Sequence, residues 1–288
     1  MMKLSILQTG FFHSDGGAMF GLLPKSIWQR HYHTDNENIC LMAMRCLLFK
    51  KDQNVFIFDT GTGDKKDARM APYRFFCQKK LKNILLEQQI KAEEVTHIIL
   101  SHLHFDHCGA LTEYDANGKL VPVFPNAEYY ISKKQWEHHL APRLFDQDAF
   151  FEENTDFLKN NPRLHLIEDD IQLTPEIKLE LYDGHTPGQI VSFITTPQYR
   201  YVFAGDVIPL ALNMYLEAIS AFDMDAATSV EERIRLLEKI ANTNSQVIYY
   251  HDAFTPYSGI KKIGERYRAI PAPTLQDTPD ERNHDLPI

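Results

Sequence analysis

Cysteine is scarce in this 288-residue sequence: Cys40, Cys46, Cys77 and Cys108, with no Cys-x-x-Cys spacing. Four thiols so placed fit reduced cysteines better than a disulfide framework. No apolar run approaches the ~18 residues of a membrane-spanning helix, so no membrane partner is expected. The opening Met1–Gly10 lacks the apolar stretch and small-residue cleavage site of a signal peptide, and the expectation is a soluble, cytoplasmic protein. Basic residues are outnumbered: 30 Lys and Arg against 39 Asp and Glu leave a net charge of −9, which argues against nucleic acid as the main partner. No repeat at a fixed period is apparent. With 44% hydrophobic and 24% charged residues the composition is that of an ordinary globular chain, long enough to bury a substantial core.

Against that background one stretch stands out, Ser101-His102-Leu103-His104-Phe105-Asp106-His107-Cys108-Gly109. It follows the apolar, β-branched run Thr96–Leu100, so it sits where a buried strand ends. On a regular strand His102, His104 and Asp106 would share one face, whereas helical spacing converges no three of them. A strand that breaks into a loop at His102 lets these side chains curl around ions. Imidazole with carboxylate suits zinc or a similar first-row divalent metal. Cys108 beside them reads as a small buried filler.

The remaining elements follow from periodicity. Residues 3–9 form a strand, followed by an aromatic, glycine-rich arm through Pro24 that covers a pocket, meets a partner chain or packs on the core. Residues 40–49 and 54–58 form a hairpin about Lys50–Gln53, ending in the turn Asp59-Thr-Gly-Thr-Gly63. Asp59 is expected to accept the spare N–H of a ligating histidine. An amphipathic helix is expected over Pro72–Ile90, and a second opens at Ser132, its cap, with His138 and His139 off the metal. The polar, aromatic stretch 141–162 is expected to be helical around 149–159. Strands are expected at Ile177–Tyr182, Gln189–Thr195, Tyr201–Ala204 and Gln246–Tyr250. A helix over Ser229–Ile240 carries the apolar stripe Val230, Ile234, Leu237 and Ile240. The tail from Pro271 reads as extended. This pattern alone predicts a mixed α/β chain.

The His-x-His-x-Asp-His motif resembles the signature of the metallo-β-lactamase superfamily, and the other motifs of that family are found in order. Gly184-His185-Thr186-Pro187-Gly188 matches its third-histidine loop. Phe203-Ala-Gly-Asp206 matches the bridging aspartate, and Tyr249-Tyr-His251-Asp252 the last histidine; Phe58-Asp59-Thr60-Gly61 resembles the early Asp-x-Gly turn. The resemblance runs from about residue 40 to 255. It implies an α/β, four-layer αβ/βα sandwich: a single domain over 1–288 with an N-terminal arm to about 35 and the tail from 271. It also implies a metal set in which His102, His104 and His185 bind one ion, Asp106, His107 and His251 bind the second, and Asp206 bridges them. Two divalent ions, zinc first and manganese, iron or cobalt as alternatives, would hold a bridging hydroxide for hydrolysis, with Asp106 and Asp206 the catalytic carboxylates.

Within the superfamily the pattern most resembles the N-acyl-homoserine lactonases and organophosphate-hydrolase-like enzymes. The implied substrate is a small lactone or ester, the implied role quorum quenching, and a homodimer is expected because related lactonases are often dimers. One position departs from that branch: several lactonases carry a tyrosine three residues after the bridging aspartate, and here Pro209 stands there, with Tyr215 or a residue of Phe11–Phe20 as a candidate substitute. A phosphotriesterase-like hydrolase is the alternative, and a mononuclear-iron sulfur dioxygenase ranks below it because every ligand of a second metal is retained. Glyoxalase-II-like thioester hydrolysis also ranks lower, since only some 37 residues follow His251.

Overall fold

The computed structural model describes residues 2–273 and Leu275; most of the tail assigned from sequence lies outside them. These described residues separate into two compact units, one of the segments up to residue 11 and 44–168, the other of 12–43 and from 169 onward.

The first unit is built on the strands β1 (Met2–Asp15), β2 (Ile39–Lys51), β3 (Asn54–Phe58), β4 (His97–Ile99), a side pair β5 (Thr112–Tyr114) and β6 (Leu120–Pro122), then β7 (Glu128–Ser132) and β8 (Leu164–Ile167). The sheet order is β1-β2-β3-β4-β7-β8, and β1 and β2 each run on into the residues of the second unit. The hairpin β2–β3 pairs Leu47 with Phe58 and Lys51 with Asn54. From β3 the ladder is parallel, Phe58 beside Ile99 and Ile99 beside Tyr130. The carboxyl ends of β3 and β4 therefore lie together, where open α/β sheets place their ligands. Behind the sheet, Ile57, Ile98, Tyr129 and Ile131 pack with Leu81, Ile84, Leu85 and Trp136 from helices Leu81–Glu87 and Lys133–Leu140. Each such apolar side chain contributes roughly 1.5–3 kcal/mol by leaving water.

Two expectations about the N-terminal half are corrected. The helix over Pro72–Ile90 is confined to Leu81–Glu87, preceded by a 3-10 turn at Ala68–Tyr73. Arg74 and Cys77 adopt positive φ, and Phe76 exchanges both backbone hydrogen bonds with Phe11 (3.1 and 3.0 Å), so the segment between is drawn onto β1 rather than coiled. The arm after residue 9 is no loop at first: β1 continues to Asp15, which caps the short helix Gly16–Phe20 by accepting from Ala18 N at 3.0 Å. Ser132 does cap its helix, accepting from Gln135 N at 3.0 Å.

His139 on that helix is buried, 2.7 Å from Thr155 Oγ1, and burial pulls its pKa down to about 4. The folded ring stays neutral while the unfolded one protonates near 6.5. Stability from this residue is thus present above pH 6.5 and is lost as pH falls toward 4, by about 3 kcal/mol in all. Urea midpoints between pH 7 and 4 should fall less steeply for His139→Gln than for the parent; parallel slopes would refute the assignment.

The second unit carries β9 (Ile171–Thr174), β10 (Ile177–Tyr182), β11 (Gln189–Thr195), β12 (Arg200–Phe203), β13 (Gln246–Ile248), β14 (Tyr257–Ile263) and β15 (Arg266–Ile270), in the order β15-β14-β13-β12-β11-β10-β9. β9 and the last two strands were not expected from sequence. β11 is antiparallel to both neighbours, whereas β12 and β13 are parallel with Phe203 beside Ile248. Hence β10, β12 and β13 all end on one side. The helix Ala226–Thr243 lays Leu236, Leu237 and Ile240 against Val191, Val202 and Val247. Leu237 and Ile240 of the expected stripe are buried, but Ile234 is 38% exposed and Val230 only half-buried, while Ser229, Glu232 and Arg233 face inward.

Candidate metal centre

In the first unit the cluster forms where β4 ends. The chain leaves the sheet at Leu100, and His104 precedes a single helical turn, Phe105–Cys108. His102, His104 and His107 are buried, with ring centroids of His102 4.4 Å from His104 and 4.0 Å from His107. Asp106 Oδ2 lies 3.8 Å from His107 Nε2. The turn after β3 straps this loop down: Asp59 N donates to Ile99 O (3.0 Å), Thr60 N to His107 O (2.7 Å) and Ala110 N to Gly61 O (3.1 Å).

Asp59, fully buried, is the hub. It accepts from Ser101 N and Ser101 Oγ at 2.6 Å each, and from His107 Nδ1 at 2.8 Å. Burial pushes its carboxyl upward, and these donors pull it back. With its proton committed to Asp59, the Ser101 hydroxyl is left to accept from His102 Nδ1 at 3.0 Å. Nδ1 therefore carries the hydrogen in both rings and Nε2 presents its lone pair, the outer arrangement common around metal-binding histidines. Asp59 thus accepts the spare N–H of a motif histidine, the hydrogen bond expected from the sequence. Cys108 is buried with Sγ 3.3 Å from Leu103 O, and burial raises its thiol to about 12, as suits a filler.

In the second unit each remaining motif residue stands three positions past a strand end: His185 after Tyr182, Asp206 after Phe203, His251 after Ile248. The two oxygens of Asp206 face different rings, Oδ2 3.5 Å from His185 Nε2 and Oδ1 3.3 Å from His251 Nε2. His251 Nδ1 is 2.9 Å from Ala43 O. A carbonyl only accepts, so Nδ1 holds the hydrogen and Nε2 presents a lone pair. His185 Nδ1 is likewise held by Asp223 Oδ1 at 2.8 Å. Lone pairs of two buried imidazoles thus converge on a carboxylate, a donor set that a divalent cation satisfies. The zinc-type ligand chemistry fits.

Gly184 is needed for a different reason than a turn. A Cβ there would lie 2.5 Å from Ser229 Cα, so the His185 loop can sit against the long helix only with glycine at this point. Gly188, at φ 73°, supplies the turn. Pro209, at the position of the lactonase tyrosine, accepts from His251 N at 3.0 Å through its carbonyl, and Tyr215 packs at a tilt against His31, ring centroids 5.7 Å apart.

Sequence reasoning missed Asp223, Glu232 and Arg233. Asp223 lies 38 residues from its histidine in a stretch without periodicity. Glu232 accepts from Asp183 N and Gly184 N at 2.9–3.0 Å, and burial raises its carboxyl. The available signal was the spacing 229, 232–233, 236–237, 240, which puts both charges on the face that buries Leu236 and Leu237.

Known proteins similar to this chain are metal-dependent hydrolases. The N-acyl homoserine lactonase of Bacillus thuringiensis is 23% identical over 224 residues, 72% of this chain and 80% of that one, and the Bacillus cereus lactonase 22% identical over 227 residues, 75% and 83%. Among solved structures, a probable metal-dependent hydrolase from Staphylococcus aureus superposes with a TM-score of 0.85 at 23% identity, covering 96% of this chain and 98% of that one. A dizinc quorum-quenching lactonase with its product bound gives 0.77 at 22% identity, covering 95% of each chain. Residues 45–251 match the metallo-beta-lactamase superfamily, and the chain belongs to that family. Its α/β architecture is the metallo-β-lactamase fold, as the resemblance implied. Among the described residues no helix is long and apolar enough to cross a membrane.

Proposed function

We propose that this chain is a dinuclear metal-dependent hydrolase that opens lactones, N-acyl-homoserine lactones among them, or cleaves related small esters. The ligands proposed are His102, His104 and His185 for one ion, Asp106, His107 and His251 for the other, and Asp206 for both. The observation that carries this reading is the Asp206 carboxylate, with one oxygen turned to His185 Nε2 and the other to His251 Nε2. Zinc is the proposed ion, with manganese, iron and cobalt accepted by the same donors. When bound, such ions polarise a carbonyl and bring the pKa of water toward neutrality. The protein's part is to hold the imidazoles in one tautomer through Asp59, Ser101, Asp223 and the Ala43 carbonyl, and to supply carboxylates that offset the cationic charge. The substrate partner is then a small molecule, and the homodimer stays part of the proposal through its lactonase relatives.

Phosphotriester hydrolysis is the second reading, favoured by Pro209, which removes the side-chain donor that lactonases offer to a carbonyl. The test is elemental analysis of the purified protein together with turnover of acyl-homoserine lactones, aryl esters and phosphotriesters, before and after chelation. Two zinc-like ions per chain with chelator-sensitive lactone opening is the expected result. Two ions with phosphotriester turnover alone favours the second reading, and a single iron without hydrolysis overturns both.

A further inference from the structure

Arg233 is a buried guanidinium, 1% exposed, in the middle of the long helix. Its fork donates to two backbone carbonyls and lies within ion-pair distance of a carboxylate. Nε donates to Val207 O at 3.0 Å, the carbonyl of the residue after Asp206, and Nη1 donates to Ala218 O at 2.9 Å. Nη2 lies 3.7 Å from Asp223 Oδ2, whose other oxygen accepts from His185 Nδ1 at 2.8 Å. The backbone reinforces the connection, with Met224 N donating to His185 O (3.1 Å) and Asp225 N to Gly184 O (3.0 Å). Lysine, with a point charge in place of a planar fork, would not span these acceptors.

A buried ion pair is a poor way to add stability, since apolar residues of similar volume in its place are often neutral or better. Here each end of the pair terminates on a ligand loop, one on His185 and the other beside Asp206. We propose that Asp223 and Arg233 are positioning residues: Asp223 fixes the tautomer and direction of His185, and Arg233 ties the His185 and Asp206 loops to one helix so that they move together. This rests on the reading of His185 and Asp206 as metal ligands.

The test uses cobalt(II) alone as the probe, titrated into metal-free full-length protein in competition with a chromophoric chelator and followed by the visible cobalt spectrum. Asp223→Asn keeps the volume and one acceptor oxygen. The double variant Asp223→Ala/Arg233→Met removes both charges together, so no uncompensated buried charge is left to unfold the chain. Both should keep the parent's circular dichroism while binding cobalt roughly ten- to a hundredfold more weakly, with an altered spectrum. A double variant that folds and binds with the parent's affinity and spectrum overturns the positioning role while leaving the metal reading intact. Failure of the parent itself to bind cobalt removes the metal reading, and this inference with it.

Discussion

Asp206→Asn is expected to lower hydrolysis by a factor on the order of a thousand, the scale on which a single preorganised electrostatic group is lost from an active site. The substitution keeps shape and volume. It turns one of two acceptor oxygens into an N–H donor, and whichever way the amide rotates, that donor faces either His185 Nε2 or His251 Nε2, now 3.5 and 3.3 Å away. On the proposed ligand set, two ions would lose a shared carboxylate and a negative charge at the same time. His104→Ala, which removes one imidazole, should lose activity on a similar scale. Asp206 belongs to neither hydrophobic core, so the urea midpoint of the metal-free Asp206→Asn protein should shift little. Full turnover of lactone and ester by both variants would refute the ligand assignment.

The second large effect is on folding. Asp59→Ala should destabilise the metal-free protein by about 4 kcal/mol or more. Three donors, Ser101 N, Ser101 Oγ and His107 Nδ1, would lose their acceptor inside the protein, each at about 1–3 kcal/mol. Asp59 also has φ at 55°, a region that aspartate and asparagine tolerate and alanine does not. Asp59→Asn keeps the conformation and one acceptor, so its loss should be under half as large. Urea unfolding of the metal-free variants measures both, and equal midpoints for Asp59→Ala and the parent would deny Asp59 its role as hub.

What could be read in the sequence was whatever the chain writes locally. The ligand motifs were legible because chemistry-bearing residues follow β-branched runs at short, fixed distances, as in Thr96–Leu100 before His102 and Tyr201–Phe203 before Asp206. Strands β10 and β11 were found to the residue for the same reason. The misses share a physical origin in contacts between distant segments. Helix-forming residues between Tyr73 and Lys80 lose to a backbone pairing of Phe76 with Phe11. Val230 and Ile234 have helical spacing, yet the buried face turns toward Glu232 and Arg233, because backbone donors and acceptors of remote loops need them. Asp223 carries no local signal.

The common offset of His185, Asp206 and His251 beyond β10, β12 and β13 sets where this protein can change length. Each side chain inherits its position from the hydrogen-bond ladder through a tether of three residues, too short to absorb an inserted or deleted one. Removing a residue between Phe203 and Asp206 would withdraw the carboxylate by a full Cα step of about 3.8 Å, beyond what a side chain can recover. The turn at 196–199 enters β12 from its other end, as the Lys51–Asn54 turn enters β3. Segments grafted there would leave the ligand tethers untouched, so variation in length belongs at that edge of each sheet.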